Sequence, residues 1–176
     1  MLTFHTVSGV AALLAGLATC VMTKGTRLHR RIGWLYSVSM YSLCLSSFFI
    51  SADILSFIEI AGMHYGIFHV FALWGTIQLS VGLYIMIRRH AFSEPLEWHL
   101  YNMLWSVVGL GMATNSHLFG AVSPWITSPT GLSMGWGIGL TGLLLWGVSL
   151  VVGIVWIERL RPRYRNVTAD AVSVRG

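Results

Sequence analysis

The fold class that this sequence predicts is an all-α membrane bundle with five transmembrane helices, and three observations carry the prediction. First, 55% of the 176 residues are hydrophobic and only 10% are charged, whereas a soluble domain carries roughly a quarter of charged residues to wet its surface. Second, the apolar residues fall into five runs, each near the roughly 20 residues needed to cross about 30 Å of hydrocarbon. Third, all eleven lysines and arginines lie on alternate connections between those runs. At this length one domain is expected.

The first run is Leu2–Met22. The "LATC" before Cys20 resembles a lipoprotein cleavage site, but the start "MLTFHT" has no positive region of the kind a secretory signal needs, so the segment is expected to be retained. The second run is Gly33–Phe57, the third Tyr65–Ile87, the fourth Glu97–Gly120 and the fifth Leu132–Ile157. Runs this long without alternation make helices rather than barrel strands, because a helix satisfies its own backbone in lipid. "HAFSEPLEW" reads as a helix start: Ser93 can cap, Pro95 suits the first turn, and Glu94 and Glu97 favour the positive end of the dipole. Residues 158–176 form a basic tail, expected to be cytoplasmic and flexible. The two cysteines, Cys20 and Cys44, lie in different spans and suggest no disulfide framework.

The charges give an orientation. The first loop carries Lys24, Arg27, Arg30 and Arg31, the third carries Arg88 and Arg89, and the tail carries Arg159, Arg161, Arg163, Arg165 and Arg175. The second loop, "AGMHYG", and the fourth, "AVSPWITSPTG", carry none. By the positive-inside rule the N-terminus is outside and the C-terminus cytoplasmic. The net charge of +5 is therefore a set of interfacial anchors facing lipid headgroups. A nucleic-acid partner is disfavoured.

Polar residues within spans face other helices. Ser39, Ser42, Ser46, Asp53 and Ser56 form a stripe on the second run, and His69, Thr76, Ser80 and Tyr84 another on the third. His99, Asn102, Ser106, Gly109, Ala113 and His117 do the same on the fourth, and His5, Gly9, Ala12, Gly16 and Cys20 on the first. On the fifth, Gly131, Gly135 and Gly139 recur every four residues, a small-residue face expected to pack within the bundle rather than to form a dimer.

Seven histidines stand against six acids, and their depth is informative. His5, His69 and His117 fall within about one turn of the outer ends of their helices, with Asp53 deeper on the same side. His29 and His99 sit at the cytoplasmic ends. Three readings compete. The outer set His5, His69, His117 and Asp53 could bind a transition metal. Histidines at two levels could instead hold haem b, the inner pair being His29 and His99. Or imidazole and Asp53 could relay protons in a small proton-coupled transporter. Against all three stands the tolerance of histidine at membrane interfaces, which accounts best for His29, His64 and His90. No phosphate loop, HExxH, CxxC or nucleophile elbow is present, and "GWGIGLTG" inside a membrane helix reads as packing.

His5 and Gly9, "KGT" at Lys24–Thr26, "HRRIGWLY" at His29–Tyr36, Met40, "FH" at Phe68–His69 and "WHLYNMLWS" from Trp98 together resemble an uncharacterised bacterial family of predicted membrane proteins with a domain of unknown function. The likeness spans the first four helices. It implies a polytopic bundle with recurring histidines in a bacterial inner membrane, and brings no established activity. Within that pattern His29 and Arg30 suggest a structural role in which Arg30 or Arg31 pairs with Glu97. The reading is thus an integral membrane protein with a histidine-bearing polar interior near the outer face, redox in purpose. The proton-coupled transporter and a structural subunit of a larger membrane complex or homo-oligomer are the alternatives.

Overall fold

The chain folds as the long apolar runs require, into helices packed side by side. The computed structural model describes residues 1–51 and 56–173, the side chains at 120, 163 and 165 onward excepted. Asp53 lies outside the described residues, and with it the acid expected in the second span.

Helix α1 is Leu2–Val21 and α2 is Arg27–Ser47. The turn between them uses Gly25 at φ +79, a left-handed conformation that glycine adopts without steric cost. Lys24 closes α1 by donating from Nζ to the carbonyls of Thr19 and Cys20, a cation on the negative end of the helix dipole. Thr26 opens α2, its hydroxyl accepting the His29 N–H at 3.1 Å.

α2 stops ten residues before the expected Phe57. The hydroxyls of Ser46 and Ser47 donate to the carbonyls of Leu43 and Cys44, and such local bonds compete with the helical ladder. A hairpin then corrects the all-helical expectation. Strands β1, Ser56–Ile60, and β2, Met63–Gly66, pair antiparallel, with Ile60 opposite Met63. That register leaves Ala61 and Gly62 as a two-residue loop, both at positive φ (52 and 77), the backbone a twisted hairpin prefers. Phe57 is the extra residue of a bulge between Ser56 and Ile58.

α3 is Ile67–Ile87, followed by a short 3₁₀ turn at Arg89–Ala91 and by α4, Pro95–Ser116. Pro95 occupies the first turn of α4 as expected, but Glu94 rather than Ser93 is the cap position. The fourth connection, expected to be a loop, contains α5, Phe119–Thr130, with Pro124 and Pro129 inside it and Gly131 ending it at φ +67. α6 is Met134–Ser173 and runs on as helix past the expected end at Ile157.

α1 packs on α2, α2 on α3, α3 on α4, and α4 back on α1, while α6 lies along α4 with α5 against it. The core is centred on Tyr36, buried among Ala12, Ala15, Met40, Leu79, Val107 and Leu110. α1 approaches closely because Gly16 faces the Tyr36 ring, where a Cβ would lie 3.0 Å from Cε2. Ser106 Oγ donates to the Met103 carbonyl, so the Tyr36 hydroxyl donates to Ser106, at 2.7 Å. A second cluster, Leu100, Leu104, Val108 and Ile157, joins α4 to α6.

α1, α3 and Met134–Pro162 of α6 are long and apolar enough to cross a membrane. α2 and α4 are as long, at 21 and 22 residues, but more polar. Leu14, Leu17, Leu143, Leu144, Val151 and Val152 are exposed around the bundle, an apolar surface that suits lipid and no aqueous fold. The bundle has a basic end, where α1 meets α2 and α3 meets α4, and a hairpin end, where β1 and β2 project.

A histidine-lined cavity at the hairpin end

A cavity of about 730 Å³ opens at the hairpin end between α1, α2, α3 and α4. His5 from the start of α1, His69 from the start of α3 and His117 at the end of α4 all line it, with Met40, Cys44, Ser47, Ser51, Thr114 and Ser116. The rest of the wall is mainly apolar and includes small residues, Gly9, Ala72, Gly109 and Ala113. Three histidines far apart in sequence thus reach one space because α1 and α3 begin where α2 and α4 end.

Their ring nitrogens are not equivalent. The Gly66 N–H donates to His69 Nδ1 at 3.1 Å, so the ring proton sits on Nε2 and is directed to the Ile50 carbonyl at 3.2 Å. The imidazole is flanked by the tilted rings of Phe48 and Tyr65, with centroids at 5.8 and 4.7 Å. Both nitrogens are spent on backbone: one caps α3 and the other holds the chain leaving α2. His69 is a structural clamp on the cavity wall. His5 differs, with Nδ1 3.0 Å from the Ser46 hydroxyl. His117 stands at the C-cap of α4, its backbone N–H bonded to Thr114. Among the described residues no three His, Cys, Asp or Glu side chains are placed to share one metal ion; Asp53, the fourth residue of the outer set, lies outside them.

Polar residues on α4 and α6 brace the remaining wall. Trp146 Nε1 donates to the Met112 carbonyl and the Ser116 hydroxyl at 3.0 and 3.1 Å, and its ring meets Phe71 and Phe119 at 5.1 and 5.3 Å. Asn115 donates to Ser149 at 2.8 Å.

At the basic end His29 and His99 come near Lys24 and each other. His99 donates from Nδ1 to the Gly82 carbonyl at 2.9 Å. Burial holds Lys24, in the turn between α1 and α2, below the ordinary lysine value. Neither His29 nor His99 lines the histidine cavity at the hairpin end.

Glu97 corrects another expectation. Its partner is Arg161 of α6, not Arg30 or Arg31 of the first loop. The Glu97 side chain is 2% exposed and that of Arg161 38%, and Arg161 also lies over the Trp98 and Tyr101 rings at 5.8 and 5.6 Å. In the sequence Arg161 stands only as one of the cations of the basic tail, and no local pattern distinguishes it from the arginines of the first loop. The glycine face differs as well. Gly135 and Gly139 have open space beside them, and Gly131 is the cap of α5, while Gly137, Gly142 and Gly153 meet Thr127, Phe119 and Val108. The stripe read as bundle packing points away from the bundle.

Comparison with family models, with curated proteins and with solved structures finds no match to this chain. The functional reading therefore rests on the cavity.

Proposed function

We propose that the chain is a five-span protein of a bacterial inner membrane, of the uncharacterised family that its "KGT" and "HRRIGWLY" stretches resemble. The hairpin end faces outward, the basic end faces the cytoplasm, and the outward cavity holds a haem-class redox group. α2 and α4, at about 1.5 Å per residue, span roughly 31–33 Å and complete the set of five. The observation that carries the reading is the convergence of His5, His69 and His117 on one mainly apolar cavity. Its volume falls within the roughly 300–1,000 Å³ of sites for cofactor-sized ligands.

The donor set suits a group that brings most of its own ligands. No cage of three protein ligands supports a bare cation among the described residues, whereas a porphyrin iron needs only one or two imidazoles. His5 and His117 are the residues that would hold it, His69 being committed to backbone. Such a group supplies one-electron transfer when bound. The chain's own part is to orient the two imidazoles, to surround the ring with Leu2, Val10, Leu13 and Phe71, and to leave a polar rim at Ser47, Ser51 and Ser116.

The test is elemental analysis of protein purified in mild detergent without an affinity-tag metal, followed by the absorption spectrum. Near-stoichiometric iron with a haem spectrum, lost in His5→Ala and His117→Ala, is the expected result. Preparations repeatedly free of metal would sink the redox reading. The cavity's imidazoles beside a hydroxyl rim favour proton-coupled transport as the second reading, in which Asp53→Asn abolishes transport. The open Gly135 and Gly139 face favours the third, a subunit of a larger membrane assembly.

A further inference from the structure

We propose that Ser46 is a positioning residue that fixes the tautomer of His5 and so makes Nε2 the ligand-binding atom of the cavity. This rests on the haem reading for the identity of the ligand, but the tautomer itself stands on hydrogen-bond arithmetic.

A serine hydroxyl has one proton to give and two lone pairs. Ser46 gives its proton to the Leu43 carbonyl at 2.9 Å, an acceptor that cannot reciprocate. The arrangement that makes both Ser46 contacts at once has His5 Nδ1–H donating to the serine oxygen at 3.0 Å. The neutral ring is left with its lone pair on Nε2. Ser46 is buried at 3% exposure, so water has little access to exchange the arrangement. His5 is only half-buried and lines the cavity.

This is the pattern of a ligating histidine. The nitrogen away from the metal is held by a hydrogen bond that sets ring orientation and tautomer, and loss of such a partner typically weakens metal binding about 10–100-fold. The other two histidines of the cavity lack it. His69 has no nitrogen to spare, and His117 shows no ring hydrogen bond among the described residues. His5 is therefore the strong ligand and His117 the weaker, exchangeable one. The same bond joins the first turn of α1 to the last turn of α2, which fixes where Nε2 stands relative to the cavity wall.

Two measurements on the full-length protein in detergent test this. In the ligand-free protein, histidine ¹⁵N spectra should show His5 protonated at Nδ1. Ser46→Ala should lose that preference and Ser46→Thr, which keeps the hydroxyl, should retain it. Hemin titrated into the same proteins should bind wild type with an imidazole-ligated spectrum. It should bind Ser46→Ala about 10–100-fold more weakly, and Ser46→Thr close to wild type. A His5 proton on Nε2 in wild type, or equal hemin affinity in Ser46→Ala, overturns the proposal. If hemin binds while the proton sits on Nε2, the haem reading survives and the role of Ser46 falls. If the Nδ1 proton is seen but wild type takes up no hemin, the haem reading falls and the ligand role of Nε2 goes with it.

Discussion

At the scale of residues, the histidines show that depth was legible while occupation was not. His5, His69 and His117 can be placed at one level from helix periods alone, and they do line one cavity. That both nitrogens of His69 are taken depends on α2 ending at Ser47 and bringing Ile50 within reach, a tertiary event no local pattern announces. Replacing His69 with alanine strips partners from the Gly66 N–H and the Ile50 carbonyl together. An unsatisfied buried group costs about 1–3 kcal/mol, so a loss of at least that size is expected in detergent thermal unfolding. His64→Ala keeps the backbone N–H bond to Ser51 and the pairing with Glu59 and should unfold like wild type. Equal behaviour of the two variants would contradict the clamp.

Elements were read best where hydropathy and secondary structure agree. α1 and α3 match their predicted runs within a few residues. The second run failed because hydropathy cannot distinguish a helix from an exposed hairpin. "FFI" and "FIEI" look continuous with α2, yet the Ser46–Ser47 pair and the Ala61–Gly62 turn divide them into helix and strand. α5 was missed because its two prolines read as loop residues. The glycines of α6 were identified correctly as a spacing and wrongly as to which face packs, since a helix sequence alone does not say where its neighbour lies. Gly153→Ala would set a Cβ 2.5 Å from Val108 Cγ2, and such overpacking is expected to cost about 1–3 kcal/mol as α4 and α6 are pushed apart. Gly139→Ala meets open space and should instead gain about 0.5–1 kcal/mol from helix propensity. Thermal unfolding of the pair gives the comparison, and a sign reversed in either would place the α4–α6 interface elsewhere.

For the whole molecule, composition and charge placement carry most of what the sequence reveals. The apolar excess requires a lipid-facing surface, and the exposed leucines and valines of α1 and α6 supply it. The expected topology can be checked directly. In a variant lacking Cys20 and Cys44, a cysteine at Glu59 in β1 should react with a membrane-impermeant thiol reagent in intact cells. A cysteine at Arg89 should react only after the membrane is opened, and the reverse pattern would invert the protein.

The Glu97–Arg161 pair has a consequence for biogenesis. The carboxylate begins the fourth helix and its guanidinium partner is synthesised 64 residues later, after α5 and nearly all the apolar part of α6. Until then α4 carries Glu97 without this guanidinium beside it. The basic end of the bundle is thus tied by a segment made late, so a ribosome that stops short of Arg161 releases a chain with nearly all of its apolar helices and without this pair.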